Sequence, residues 1–271
     1  MTLVLASAVL HASWNLVVKA SSDRLVAAFA QVTMGALAFA PFLLFVDVPW
    51  EAWPWFVASS LVHLAYGLTL VGAYERADLS LVYPVARGAA PVLVTVLAAL
   101  VLDDVPSAAG LVAIAFVISG VLFVAQGSSR SGGMRWALAT GALIATYTLI
   151  DASAVRRLDS AFGYTVCVFL GNAAVYVPTI LRLRGARLVR SALRREGGRH
   201  LAAGTASALA YVLVLAAARL APLGLVAAFR ETSVVFGALG AWLLLGEHHA
   251  RRRLLGAVLI AAGLAVLVGA G

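Results

Sequence analysis

Charge is scarce in this chain. Asp, Glu, Lys and Arg make up 12% of its 271 residues, against about 25% in soluble globular domains. Hydrophobic residues make up 63% and the mean hydropathy is +0.99. That much apolar surface exceeds what one water-soluble core buries, so the chain reads as an integral membrane protein. The apolar runs are continuous, whereas barrel strands alternate, so spanning helices are predicted. Cysteine is nearly absent: Cys167 stands alone in an apolar run, which excludes an internal disulfide. The chain also lacks HExxH, paired CxxC, GxxxxGK[ST] and GxSxG patterns, which removes the usual signatures of metal, nucleotide and serine chemistry. No catalytic residue, metal site or cofactor is predicted, and the chain is not read as an enzyme. The pair His248-His249 falls between apolar runs and is a weak metal signal. Ala6-Ser7-Ala8 has the small residues of a cleavage site, but no positive charge precedes the first apolar run, so no cleavable signal peptide is expected. No lipidation motif is found.

What charge there is has a pattern. The net charge of +8 points to nucleic acid only if the basic residues cluster on a soluble face, and they do not. Ten apolar runs can be drawn, at about 2–20, 25–46, 54–73, 79–102, 107–126, 135–154, 161–181, 200–218, 223–246 and 254–270, each near the roughly 20 residues a bilayer requires. The basic residues lie mostly between them. If both termini face outward, the inner loops hold 15 Lys and Arg: Lys19, Arg24, Arg76, Arg130, Arg135, seven arginines from Arg182 to Arg199, and Arg251 to Arg253. The outer loops hold three, Arg156, Arg157 and Arg219. The excess of positive charge inside therefore predicts a multi-pass protein of the cell membrane with both termini outside. The Arg-rich segment 181–199 reads either as an interfacial helix or as a charged loop. Trp50, Trp53 and Trp55 read as an interfacial aromatic belt.

Two arginines remain, Arg87 and Arg230, and both fall inside apolar runs. They also mark a repeat. A shift of 143 residues lays Arg87 on Arg230, Asp104 on Glu247 and Gly120 on Gly263, and aligns VTVLAALVLDD with GALGAWLLLGE without a gap. Near the start of each half, HASWNLVVKA at 11–20 resembles IATYTLIDAS at 144–153. The fold class expected is all-α and integral to the membrane, with ten transmembrane helices in two five-helix repeats, residues 1–126 and 127–271. Because five is odd, the second repeat enters the membrane inverted. Inverted repeats are typical of secondary transporters, with the substrate near the midplane between the halves.

Ionisable residues inside a span are expensive and are candidates for function. Arg87 lies nine residues into its run, roughly 13 Å at 1.5 Å per residue. Pro84, Gly88 and Pro91 around it predict an opened helix, and unwound backbone beside an arginine makes an anion clamp. The other reading is an ion pair that locks two helices. Arg230 and Glu231 are adjacent and project about 100° apart on a helix, so one is expected to pair with Arg87 or Asp151 while the other meets substrate. Glu231 and His63 are the candidates for proton coupling. Tyr147 and Asp151, four residues apart, share a helix face, and Asp151 lies within reach of Arg156 or Arg157. His11, Trp14 and Asn15 share a face of the first helix, and Tyr83 adds an aromatic surface beside Arg87. His63 with Tyr66, and Tyr211, repeat the pattern more weakly. Asp103, Asp104 and Glu247 read as loop or capping residues. Gly141, Gly171, Gly237 and Gly240 read as packing contacts.

HASWNLVVKAS, AYERADLSLVYPVARGAAPVLVTVLAALVLDD, ATYTLIDASAVRR and FRETSVVFGALGAWLLLGEHHARRRLLGAVLIAAGL together resemble the EamA-like family of the drug/metabolite transporter superfamily across essentially the whole chain. The resemblance implies the ten-helix, two-repeat plan and secondary transport, often export, of amino acids, other metabolites or drugs. Better-known members are drawn with both termini in the cytoplasm, opposite to the loop charges here. The expected function is alternating-access export of a small metabolite, either a carboxylate-bearing compound or a drug. Its substrate is bound by His11, Trp14, Asn15, Tyr83, Arg87, Tyr147, Asp151 and Arg230, with protons as a candidate coupling ion and membrane lipid as the surroundings. The alternative is a flippase for a lipid-linked head group, in which Arg87 meets a phosphate.

Overall fold

The computed structural model describes residues 1–21, 23–76, 79–125 and 134–236, together with residues 255, 258, 259, 262, 263 and 266. Among these residues the chain is helical, with no strand. The helices are α1 (Thr2–Ala20), α2 (Arg24–Phe39), α3 (Trp53–Arg76), α4 (Leu79–Leu102), α5 (Ala108–Ala125), α6 (Met134–Val155), α7 (Ala161–Arg184), α8 (Ala186–Ala218) and α9 (Leu223–Arg230). The first eight follow the apolar runs within a few residues, apart from two departures with physical causes. The run expected to end at residue 46 leaves α-geometry after Phe39 and tightens into a 3-10 turn, Ala40–Leu44. Pro41 lies at its start, where a proline lacks its N–H and clashes with the carbonyl four residues back.

The second departure is the Arg-rich segment. It is neither a loop nor a separate interfacial helix: residues 181–184 end α7, and from Ala186 the segment forms the first turns of α8. Gly185, at φ +76°, ends α7 in a conformation that suits glycine, and α8 starts at the next residue. Its Arg, Leu and Ala residues are strong helix formers. With 33 residues, α8 is roughly 50 Å long at 1.5 Å per residue, well beyond an apolar core of about 30 Å. Its Arg-bearing turns therefore project past the apolar zone.

Five of the described helical stretches are long and apolar enough to cross a membrane: Arg24–Leu44, Val85–Leu102, Arg135–Val155, Ala161–Arg184 and Ala186–Ala218. Polar contacts between junctions sort the ends onto two faces. On one, Arg184 bonds Asp23 at 3.3 Å and the Arg76 guanidinium lies 4.4 Å from the Trp136 ring. On the other, Arg156 pairs with Asp104 at 2.6 Å, Arg157 lies 5.3 Å from the Trp55 ring, and Arg219 donates to the Asp159 carbonyl at 2.6 Å. Asp104 also accepts from the Leu223 amide at 2.8 Å, which makes it the cap of α9 expected of it. Trp50 and Trp53 stand exposed on this second face.

Within the bundle, α4 packs against α6, α9 and α5; α2 against α8 and α7; α3 against α6 and α7; and α1 against α8 and α9. Small residues set the closest crossings. A Cβ at Gly141 would lie 2.9 Å from the Ala86 carbonyl oxygen, and one at Gly171 2.3 Å from the Ser60 hydroxyl, as expected of packing glycines. The tightest approach is between α2 and α8. There a Cβ on Gly204 would lie 2.2 Å from the Gln31 carbonyl oxygen and 2.4 Å from the Gly35 nitrogen. Both are backbone atoms and cannot swing aside. Gly204→Ala is expected to lower the melting temperature of the detergent-solubilised protein, with a loss of about 1–3 kcal/mol or more from overpacking. Gly197→Ala, whose Cβ meets nothing within 4 Å, is expected to be neutral or to gain up to about 1 kcal/mol of helix propensity. Equal melting of the two variants would contradict the α2–α8 crossing.

Candidate functional site

The polar residues of the apolar runs gather at the centre, where α1, α4 and α9 meet α3, α6 and α8. Arg87 is 6% exposed, Arg230 5%, Glu231 1% and Asp151 0%. None of these is on a lipid-facing surface, as their transfer cost demands.

Arg87 does not sit in an opened helix. α4 runs unbroken from Leu79 to Leu102 through Pro84, Gly88 and Pro91. Close packing against α6 holds it helical, and Thr95 Oγ1 caps the Pro91 carbonyl at 2.7 Å. Gly88 gives room to Leu122, whose Cδ2 lies 3.1 Å from where a Cβ would stand. The interruption falls instead after Arg230, where α9 ends; a two-residue turn follows, the chain is helical again at 233–236, and the rest of the run expected to reach residue 246 lies outside the described residues. From there the backbone bonds reach back three residues: Glu231 to Ala228 at 3.0 Å, Thr232 to Phe229 at 3.1 Å, Val234 to Glu231 at 2.9 Å and Val235 to Thr232 at 3.0 Å. Thr232 Oγ1 adds a bond to the Phe229 carbonyl at 2.8 Å. A 3-10 stretch within a span is a frequent mark of a hinge.

The tightened turn aims Glu231 at Arg87. Arg87 Nη1 donates to Glu231 Oε1 at 3.0 Å and Oε2 at 3.1 Å. Arg87 Nη2 also makes a close hydrogen bond to His11 Nε2. A guanidinium only donates, so Nε2 carries a lone pair and the imidazole is neutral here. The His11 ring meets Trp14 edge-on at 4.8 Å. Asn15 turns back on its own helix and donates to the His11 carbonyl at 2.7 Å. Arg230 lies beside the pair, its Nε 3.8 Å from Glu231 Oε1. That Nε is buried without a hydrogen-bond partner, as is Trp14 Nε1. Tyr147, Tyr211, Glu231, Arg87, His11 and His63 all lie within electrostatic reach of Arg230.

Those tyrosines join a second cluster. The His63 ring stacks on Tyr147 at 3.9 Å and meets Tyr211 edge-on at 5.9 Å, and Tyr66 approaches Tyr147 at 5.8 Å. Ser59 Oγ lies 3.1 Å from His63 Nδ1, and Tyr176 Oη donates to the His63 carbonyl at 2.7 Å. Asp151 accepts from Tyr164 Oη at 2.6 Å and from Tyr211 Oη in a close bond. It does not reach Arg156 or Arg157, which turn to Asp104 and Trp55 at the helix ends. Tyr147 and Asp151 do share one inward face, at 7% and 0% exposure.

Of the residues predicted for the site, the structure brings together His11, Trp14, Arg87, Arg230 and Glu231 in one cluster, and His63, Tyr147 and Asp151 in the adjoining one. The Tyr83 side chain lies outside the described residues, as do Gly237, Gly240, Glu247 and His248-His249. Tyr164 and Ser59 were not anticipated. Ser59 was findable, since it precedes His63 by four residues on the same face. Tyr164 carries no sequence signal of its role. Among the described residues no group of three His, Cys, Asp or Glu could hold a metal ion. A hollow of about 510 Å³ beside Asp159, Phe162, Val212 and Arg219 opens at a helix end, away from the central cluster.

Comparison with known proteins agrees with this architecture. A solved structure described only as "Crystal structure of protein" superposes with a TM-score of 0.75 at 15% sequence identity, over 98% of this chain and 96% of that one. At that identity it speaks for the fold alone. A search of curated proteins finds no match. The EamA-like transporter family matches residues 131–269, more than half of the chain, and the apolar helices around a buried polar centre fit a multi-pass membrane protein. The chain belongs to the EamA-like transporter family.

Proposed function

We propose that the protein is a secondary transporter that exports a small metabolite by alternating access between two inverted five-helix halves, residues 1–126 and 127–271, with ten spans. The observation that carries this reading is the buried Arg87–Glu231 pair with Arg230 beside it. It lies where helices of both halves converge, next to an aromatic wall formed by Tyr66, Tyr147 and Tyr211. Such a site is costly in a protein with only a structural task.

The helix neighbours support the inverted repeat. If α1, α2, α3 and α4 correspond to α6, α7, α8 and α9, several contacts come in related pairs, whereas α7–α8 has no matching α2–α3 packing. α3–α6 answers to α8–α1, α2–α8 to α7–α3, and α4–α6 to α9–α1, while α2–α7 and α4–α9 map onto themselves. That is the pattern of a two-fold axis in the membrane plane. The Arg87–Glu231 pair ties α4 to α9 across this axis and closes the centre. Transport then proceeds by loosening the pair as the substrate's anionic group arrives, and the 3-10 turn after Arg230 absorbs the rocking. Glu231, once released from Arg87, is the group we assign to carry a proton, with His63 as a second carrier.

Mass-spectrometric uptake of a metabolite panel into proteoliposomes, with and without a pH gradient, tests this reading. Wild-type vesicles are expected to accumulate at least one carboxylate compound faster when a gradient is imposed. Arg230→Gln is expected to slow that flux by roughly 10- to 100-fold, the loss of one hydrogen bond to a charged group. A folded Arg230→Gln variant that transports at the wild-type rate would sink the site assignment.

The orientation we infer, both termini outside, rests on the 15-to-3 division of loop Lys and Arg. Cys167 is buried, so introduced cysteines report without strong background. In spheroplasts, a membrane-impermeant maleimide is expected to label Glu51→Cys and to reach Arg190→Cys only after permeabilisation. The reverse labelling would invert the orientation.

A further inference from the structure

We propose that Glu231 sets the valence of the substrate. By turning both oxygens to Arg87 it leaves Arg230 only a longer contact at 3.8 Å and the described site with one net positive charge, so the site accepts a singly charged anionic group and refuses a dianion. This rests on the transporter reading and adds a substrate class to it.

The charges of the cluster can be counted from their contacts. Arg87 and Arg230 are positive. Both Glu231 oxygens face Arg87 Nη1, at 3.0 and 3.1 Å. Arg230 Nε stands 3.8 Å from Glu231, beyond hydrogen-bond reach, and has no partner among the described residues. His11 accepts from Arg87 and adds no charge. Asp151 belongs to the adjoining cluster, where its two oxygens accept from Tyr164 and Tyr211. The described cluster therefore carries one net positive charge, on an arginine that is 95% buried.

Buried donors without acceptors are rare in folded proteins and call for an explanation. Two of them occur in this cluster, Arg230 Nε and Trp14 Nε1, and both are donors only. An anionic oxygen supplied by a ligand would satisfy Arg230, and its single charge would bring the cluster to neutrality. A second negative charge could be met only by Arg87, and taking Arg87 would leave Glu231 buried and unpaired, a strongly unfavourable arrangement.

The test is equilibrium binding, read as thermal stabilisation of the detergent-solubilised full chain at matched ionic strength. The probes are sodium benzoate and sodium phenylacetate against sodium succinate. Wild type is expected to prefer the monocarboxylates by roughly 10- to 100-fold in apparent affinity. Glu231→Gln, which removes the carboxylate from Arg87, is expected to shift the preference to succinate. The double variant Arg87→Gln/Glu231→Gln restores the net charge of one and is expected to regain the monocarboxylate preference, and Arg230→Gln is expected to lose it. If Glu231→Gln does not fold, the double variant and Arg230→Gln still decide. The proposal is overturned if wild type binds succinate as tightly as the monocarboxylates, if a folded Glu231→Gln keeps the wild-type preference, if Arg230→Gln retains it, or if no monocarboxylate stabilises wild type. A monocarboxylate preference in binding without flux of any compound in proteoliposomes would instead overturn the transporter reading and leave the valence assignment standing.

Discussion

The structure turns on how two arginines are kept inside an apolar bundle. A single uncompensated charge at the centre of a bilayer costs several kcal/mol even on lenient scales, about 2.5–3.5 for arginine. Arg87 escapes that penalty because Glu231 meets it with both oxygens in a space sealed from lipid on all sides. Breaking such a pair by removing one partner costs about 3–5 kcal/mol, whereas removing both is far cheaper. The pair is therefore poor evidence of stabilisation and good evidence of a purpose. It fixes α4 against α9, and through Arg87 also reaches α1 at His11.

That constraint explains where the backbone yields. Glu231 follows Arg230 directly, and an α-helix turns about 100° per residue while a 3-10 helix turns about 120°. Tightening the ladder at Glu231 and Thr232 rotates Glu231 onto Arg87 while Arg230 stays toward Tyr147 and Tyr211. α4 carries two prolines and a glycine yet has no comparable demand on it, because Arg87 is long enough to reach its partners from a regular helix. Side-chain targets, more than local propensity, decide which helix breaks.

Much of this was legible in the sequence, and what was not has identifiable causes. The first eight helices follow from the length of the apolar runs, and Arg87 and Arg230 stand out by subtraction, as the basic residues no loop accounts for. The inward face of Tyr147 and Asp151 follows from a spacing of four. The sequence offers an ion pair for Arg87, and choosing Glu231 as its partner requires the phase of a helix that is no longer ideal. The opened helix was placed around Arg87 because proline and glycine weaken a helix in isolation, and packing against α6 outweighs that. Asp151 was assigned to nearby arginines by distance along the chain. In space Arg156 pairs with Asp104 and Arg157 turns to Trp55, and the tyrosines of α7 and α8 take their place. The Arg-rich segment was ambiguous because a charged helix leaving the membrane and a charged loop have the same composition.

The repeat supplies the last step. The shift of 143 that lays Arg87 on Arg230 lays Gly88 on Glu231. A strictly duplicated site would present two arginines and no acid, a doubly positive centre that an apolar bundle tolerates only with a dianion bound. A glutamate in one half and a glycine in the other breaks that equivalence with a single residue. The glycine leaves room for Leu122, while the glutamate cancels one of the two charges. On the transport reading proposed above, the two arginines have different tasks: Arg87 ties α4 to α9, and Arg230 is left to meet an anion. On that reading, the asymmetry that removes one of the two charges is the same asymmetry that sets what the ligand must bring.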